Sequence, residues 1–573
     1  MTVAAGTLPL DRAGTREVAL GWAGAVLIAA VTFLSSLPML SWLEFSNSME
    51  NLIVGTVLEI RRGGPLLVPT LEGVPRIEKP PLTAWITALG VRGSTMARLD
   101  DPDPAVRRAA YDDLAFDVRW TALVASCLSL LPVFALGKTC ADTRTGLIAA
   151  GVCATTYYFL RFSIHPTTDV QLMLWVATAN ALLAKIVLDG VTIGRALGAG
   201  AAVGLAFMSK GPVSFVHTLI PAAAFVAWRA WCERRWTWRG LPALLAGLVV
   251  MLVVALWWFI VAGIGDPSII PRWLRETNPG GADRLRSGNP FVYLIIIPFS
   301  LPWTLFMLDG VVRAIRATRQ AGRDAPRSVR MTYPVILLLL SLLVMSCFRD
   351  RKDRYLLPII GVAAVVAAHS VTAMLDRRPR SVPMSVHFAT LVVMALLPLV
   401  GTTTWILQTR DAEPWYTPAF AALASASGLA IVALGVVLAR RWRAGAVVAG
   451  VALMLYLHAV GIRGYRLARE GRSEFRAFAE LVRQTYPDAH MFNTRTDGVK
   501  QRASVDLSIY LNRVTRWSPD PASLPPDPTR PQICLVLRKA GDSEPNLGGE
   551  WRWFHTIARD RNQYLAFVRL PSP

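Results

Sequence analysis

What most constrains this chain is a series of long apolar runs separated by short polar or basic loops. The first, residues 18–40, has the roughly 20 residues that cross a hydrocarbon core. It follows Arg12 and Arg16 and lacks a small-residue cleavage site, so it reads as a retained anchor. Further runs begin near Trp120, Gly146, Val170, Ala196, Val213, Leu241, Phe291, Tyr333, Tyr355, Met384, Ala419 and Ala444, about thirteen in all by the hydropathy criterion. The one from Ala196 is short and Gly-rich. Only 17% of the 573 residues are charged, against about 25% in soluble domains. That rules out a disordered chain and disfavours an ordinary soluble enzyme. The expected class is an all-α polytopic membrane protein.

The 60 Lys and Arg against 39 Asp and Glu give a net charge of +21, which in a soluble protein would point to nucleic acid. Here the cations cluster in alternate loops: Arg229/Arg234/Arg235/Arg239, then Arg313 through Arg330, then Arg377/Arg378/Arg380, then Arg440/Arg441/Arg443. Such loops are held on the cytoplasmic side, so no nucleic-acid partner is needed and the N-terminus is expected inside. An odd number of spans then places both the 41–119 loop and the tail outside. The division expected is a membrane domain over 1–462 and a small extracytoplasmic α/β domain over 463–573. In the tail, 475–484 and 507–512 read as helical, 533–537 and 564–570 as strands, and the Pro-rich 518–531 as a loop. It shows no phosphate loop, triad spacing or repeat, and is read as shaping access to a site elsewhere. The six Cys have no metal-binding or disulfide spacing.

Charged groups at or near membrane depth are costly, so their positions point to function. Four places qualify. In SNSMENLIVGTVLEIRRGG, residues Met49, Leu52, Ile53, Val57 and Ile60 recur at helical spacing, predicting a helix that lies along the interface. Asn47 or Ser48 can cap it, leaving Glu50 in the first turn, where the helix dipole favours the ionised carboxylate. The alternative is that Glu50 only completes a helix terminus. Next, Glu78-Lys79-Pro80-Pro81 sets a rigid turn into a second apolar helix and leaves Lys79 at its start, suited to an anion or simply snorkelling. Third, His165-Pro166-Thr167-Thr168-Asp169 puts an acid at the membrane edge, functional or merely at a helix start. Fourth, Arg349-Asp350-Arg351-Lys352-Asp353-Arg354 breaks the charge rule, which points to a lipid phosphate or to an internal salt-bridge cluster.

These residues sit in a recognisable order. The chain resembles the lipid A 4-amino-4-deoxy-L-arabinose transferases and, more distantly, the protein O-mannosyltransferases, multi-spanning enzymes of the GT-C fold. The resemblance rests on VPTLEGVPRIEKPPLTAWITAL, on GLAFMSKGPVSF, on NPFVYLIIIPFSLPW and on Lys352 with the Tyr355-Leu356-Leu357-Pro358 that follows. It implies that Glu50 takes the place of the second member of the family's acidic pair, with Met49 where the usual Asp stands. Glu44 is a candidate substitute for that acid. Asp169 matches the family's second acidic position, and Lys79 and Lys352 match lysines associated with the carrier phosphate. Glu78, Arg351, Arg354 and Tyr355 complete the expected substrate-binding set.

The implied reaction transfers a sugar from a polyprenyl phosphate to an extracytoplasmic acceptor at the bacterial inner membrane, with inversion. Glu50 and Asp169 are the expected catalytic carboxylates, and Lys79 with the cations of the later loop would stabilise the leaving phosphate. A divalent metal could share that work, but no His/Asp/Glu cluster in the sequence specifies one. The competing readings are a transporter or lipid flippase, for which repeated halves with interrupted helices are expected and not found, and a non-enzymatic family member that has lost the Asp.

Overall fold

The computed structural model describes residues 12–41, 45, 48–234, 240–277, 290–348, 351–378, 382–401, 418–469, 474–495, 505–518, 520–539, 545, 547–548, 550–559 and 562–571. Each apolar run forms a helix. Eight described helices are long and apolar enough to cross a bilayer, or nine with one bent pair counted as a span. The helices Thr332–Cys347 and Gly445–Gly461 are apolar but shorter. The run from Phe291 is not one continuous span, as expected from hydropathy: its two pieces, Phe291–Phe299 and Thr304–Asp324, meet at 112°. Pro298 and Pro302 flank that break and remove helical donors there.

In chain order the first helices are α1 (Arg12–Ser36), α2 (Ser48–Arg61), α3 (Leu82–Gly90), α4 (Gly93–Arg98), α5 (Pro104–Cys140), α6 (Thr143–Ala154), α7 (Tyr157–Phe162), α8 (Thr168–Asp189) and α9 (Ile193–Lys210). A two-strand hairpin, β1 (Thr70–Leu71) and β2 (Val74–Pro75), lies between α2 and α3. The span Asp353–Leu375 is apolar all round and lies almost wholly inside the bundle, the expected fate of such a helix. By contrast Leu241–Gly265 and Pro418–Arg441 leave Leu245, Val249, Val253, Ile264, Leu434 and Val437 exposed. An apolar belt of this size is stable only against lipid, and the protein is a multi-pass membrane protein.

The tail forms helices at Glu474–Thr485 and Asp506–Leu511 and a five-stranded sheet. In the sheet, β3 (His490–Arg495) runs parallel to β4 (Thr515–Trp517) and β5 (Gln532–Lys539), while β7 (Asn562–Arg569) is antiparallel to β5 and to β6 (Arg552–Arg559). Both expected helices and both expected strands are present. β3, β4 and β6 had no separate alternation in the sequence strong enough to mark them.

One hydrophobic core joins this tail to the 41–119 loop: Ile53, Val54 and Val57 of α2, Leu71 of β1, Tyr111 and Leu114 of α5, and Phe478, Leu507, Ile509 and Leu535 of the tail belong to it. Polar contacts cross the same boundary. Tyr111 donates its hydroxyl to the Ile509 carbonyl at 3.0 Å, Asn493 donates to Glu72 at 3.2 Å, and Asn512 to Asp100 at 2.7 Å. The 41–119 loop and the tail therefore share one side of the membrane. Helix α2 does not lie on an interface with one face wet, as its sequence suggested: residues 53–59 are all buried, because the tail covers the face that would have met water.

Basic residues gather at the opposite end. Arg144 and Arg378 both pair with Asp376, Arg330 pairs with Asp189, and Arg443 donates to the Met374 carbonyl.

Candidate active site

Two buried carboxylates stand at the end of the bundle that carries the 41–119 loop. Glu50, on the first turn of α2, has no solvent exposure. Arg119 of α5 donates from Nε to Glu50 Oε1 at 2.6 Å and from Nη2 to Oε2 at 3.1 Å, and from Nη1 to the Leu40 carbonyl at 2.8 Å. His165 Nδ1 lies 3.3 Å from the same Oε2. Burial pushes the Glu50 carboxyl up, but the charges and hydrogen bonds of Arg119 and His165 outweigh it and hold the carboxyl down at about 2. Such a group is ionised throughout the neutral range and a weak proton acceptor there. Glu44 and Asn47 lie outside the described residues, as does the side chain of Ser48.

Asp169, 2% exposed, sits in the first turn of α8. Thr167 holds the N-cap position, so the Asp169 side chain is not spent on capping. It instead pairs with Lys210 Nζ, the last residue of α9, and faces Arg354 Nε at 3.8 Å. Tyr355 lies beneath both cations: Lys210 Nζ is 4.0 Å and the Arg354 guanidinium carbon 5.6 Å from its ring centroid. Such cation–π contacts favour desolvated charge. Lys79 stands within electrostatic reach of Lys210, as does His217, which is fully buried. Tyr158, stacked on Phe299 at 4.2 Å, donates to the Asp353 carbonyl at 2.7 Å and ties α7 to the later loop.

The segment that delivers Lys79 is held by indoles. Trp85 donates to the Leu66 carbonyl at 2.8 Å, Trp258 to Leu67 at 2.6 Å and Trp273 to Ile77 at 2.9 Å. Beneath it, Glu59 accepts from Thr70 Oγ1 and the Glu72 N–H at 2.5 Å each, fixing the hairpin, whose Gly73 takes a positive φ.

Of the expected site residues, Asp169, Arg354 and Tyr355 meet around Lys210, and Lys79 lies within electrostatic reach of it. Glu50 lies in the adjoining cluster. Glu78 is exposed. Arg351 donates to the Ser346 carbonyl at 3.0 Å, where it caps the helix Thr332–Cys347, and Lys352 occupies the N-cap position of the turn before the next span. Arg349 and Asp350 lie outside the described residues. Sequence reasoning missed Lys210, Arg119 and His165 as members of these clusters. Lys210 carried a signal, being the charged end of an apolar run inside GLAFMSKGPVSF. Arg119 was indistinguishable from any cation bordering a span.

The arrangement is that of a GT-C membrane protein with a cationic pocket at the end that carries the 41–119 loop. Residues 110–258 match the family model described as dolichyl-phosphate-mannose-protein mannosyltransferase. Crystal structures of ArnT from Cupriavidus metallidurans superpose with a TM-score of 0.69 in the apo state, at 17% identity over 96% of this chain and 98% of that one. The same protein bound to undecaprenyl phosphate gives 0.66, at 18% identity over 94% and 97%. The fold is thus the GT-C fold that the sequence motifs resembled. Among curated proteins, the chain is 27% identical over 318 residues to an undecaprenyl phosphate-alpha-4-amino-4-deoxy-L-arabinose arabinosyl transferase of Pseudomonas aeruginosa, a match covering 54% of this chain and 52% of that one. A second such transferase, from Pseudomonas fluorescens, is 23% identical over 64% of this chain and 58% of its own length. The chain therefore spans about half the length of the curated relatives it matches first.

Proposed function

We propose that the protein is a membrane glycosyltransferase that moves a sugar from a polyprenyl-phosphate carrier to an acceptor on the outer face of the bacterial inner membrane. One observation carries this reading. The buried acid Asp169 pairs with Lys210 and faces Arg354, with Lys79 in electrostatic reach of Lys210, so cations from three separate segments converge on one place. Cations gathered in this way at the lipid boundary suit a phosphate headgroup.

In the reaction the leaving phosphate gains charge as the bond to the anomeric carbon breaks. Lys79, Lys210 and Arg354 stabilise that charge, and Tyr355 holds the two latter cations in place. Direct displacement by the acceptor inverts the anomeric centre. The donor set does not suit a divalent metal: Asp169 is flanked by cations, and no group of three or more His, Cys, Asp or Glu stands together among the described residues. Names of the curated relatives make undecaprenyl-phosphate-linked 4-amino-4-deoxy-L-arabinose the first donor to try, with a hexosyl donor as the alternative. The tail and the 41–119 loop face outward in this reading, with the Arg-rich end in the cytoplasm.

The test is binding of undecaprenyl phosphate to the purified full chain by native mass spectrometry, together with mass spectrometry of envelope lipids, glycans and proteins with and without the gene. The parent should bind, and Lys79→Ala should bind about tenfold more weakly, as expected for loss of one charged contact worth on the order of 1 to 3 kcal/mol. A parent that does not bind the lipid, with an unchanged envelope in the deletion strain, would overturn the reading.

A further inference from the structure

Glu50 cannot meet an acceptor itself. Its carboxylate is wholly enclosed, and both oxygens are engaged by Arg119 and His165. His165 differs: its side chain is 15% exposed while the Glu50 carboxylate is 0% exposed. The imidazole is thus the point at which this enclosed pair reaches the outside. A ring that gives its Nδ1 proton to a carboxylate is set in one tautomer, with the Nε2 lone pair turned away and able to accept a proton. Among the described residues, Glu50 is the one hydrogen-bond partner of the ring.

The position of His165 fits that role. It opens the tight turn in which the Thr167 N–H bonds the His165 carbonyl at 2.7 Å. Two residues further, Asp169 begins the cationic pocket. Met49, the residue before Glu50 on α2, brings no carboxylate of its own. The charged and titratable groups around His165 are Glu50 from α2, Arg119 from α5 through Glu50, and His458 from the helix Gly445–Arg469.

We propose that His165 is the general base of the transfer and that Glu50, locked by Arg119, is its positioning residue. This rests on the glycosyltransferase reading above. The acceptor hydroxyl oxygen forms the bond to the anomeric carbon. The bond from that carbon to the phosphate oxygen breaks, its electron pair leaving on the phosphate, and the hydroxyl proton passes to His165 Nε2 and then to water.

Two experiments on the detergent-solubilised full chain separate this from its foundation. In the first, sugar transfer is followed from undecaprenyl-phosphate-linked aminoarabinose to the envelope fraction of the deletion strain. His165→Asn keeps an amide donor for Glu50 and removes the base; it should lower kcat by about 10²-fold with the donor KM within about twofold and the melting temperature unchanged. Met49→Asp in that background should restore turnover. A purely structural role would not respond to an acid at position 49. Parental turnover in His165→Asn, or a lost activity that Met49→Asp leaves unrestored, overturns the base. In the second, acylation of His165 by diethyl pyrocarbonate is measured by peptide mass spectrometry at a single pH, without substrate. The rate should fall severalfold in Glu50→Gln, since the carboxylate that holds the Nδ1 proton and leaves Nε2 to react is gone; an unchanged rate overturns the pairing even where sugar transfer is intact. If the parent transfers no sugar while the rate falls, the pair stands and the transferase reading fails, taking the base with it.

Discussion

The two buried acids Glu50 and Asp169 share burial and helix position but differ in how their charge is answered. Glu50 meets one guanidinium in a two-pronged contact, an arrangement closed in both charge and hydrogen bonding. Asp169 meets an ammonium group and, at 3.8 Å, a guanidinium, with a second lysine in electrostatic reach. A two-pronged pair fixes geometry, whereas an acid that draws cations from several segments stands where a further anion could be met, so equal burial does not mean equal function.

The sharpest way to break this comparison is to neutralise each pair whole. Single substitutions such as Arg119→Met or Lys210→Met leave a buried acid short of its partner and should cost about 3 to 5 kcal/mol of stability. The doubles Glu50→Gln with Arg119→Gln, and Asp169→Asn with Lys210→Met, should recover much of that in thermal unfolding. Only the first should still bind undecaprenyl phosphate with near-parental affinity. Equal loss of binding in both would erase the distinction.

Acid provides a smaller effect. Because the Glu50 carboxyl is held at about 2 against an ordinary 4.5, the stability it lends is complete above about 4.5 and is lost as the pH falls toward about 2. The parent should therefore lose thermal stability across that window, and Glu50→Gln should show a shallower decline. Identical pH slopes in the two proteins would mean that the pair does not hold the loop.

The smallest effect concerns the seam between the 41–119 loop and the tail. Asn493, fully buried on β3, donates to Glu72 Oε1 and to the Thr515 carbonyl, each at 3.2 Å. Asn493→Ala should lower stability by about 1 kcal/mol or somewhat more and, through the 66–77 segment, weaken lipid binding slightly. Proteolysis that released a folded tail from the parent would show the shared core to be weaker than its contacts imply.

Much of this molecule is legible in its residues. Runs of about 20 apolar residues leave a chain few options in water, and turn chemistry at Glu78-Lys79-Pro80-Pro81 places α3 and Lys79 without help from distant contacts. Periodicity likewise places α2 at Ser48–Arg61. What periodicity could not say is which faces stay wet: α2 reads as a surface helix because the tail that buries it lies more than 400 residues away in the chain. The acidic motif was visible in the same way, as Glu50 and Asp169, but a carboxylate's role depends on the charges that reach it in space. Arg119, His165 and Lys210 come to these two acids from α5, from the turn before α8 and from the end of α9. The sequence by itself determined that this chain spans a membrane and carries acids and cations at one end, since hydrophobicity and local turns act over a few residues. Only the tertiary structure decided which acid is closed by one guanidinium and which gathers cations from several segments, because Coulomb interactions in a desolvated pocket depend on distances of a few ångströms between distant segments.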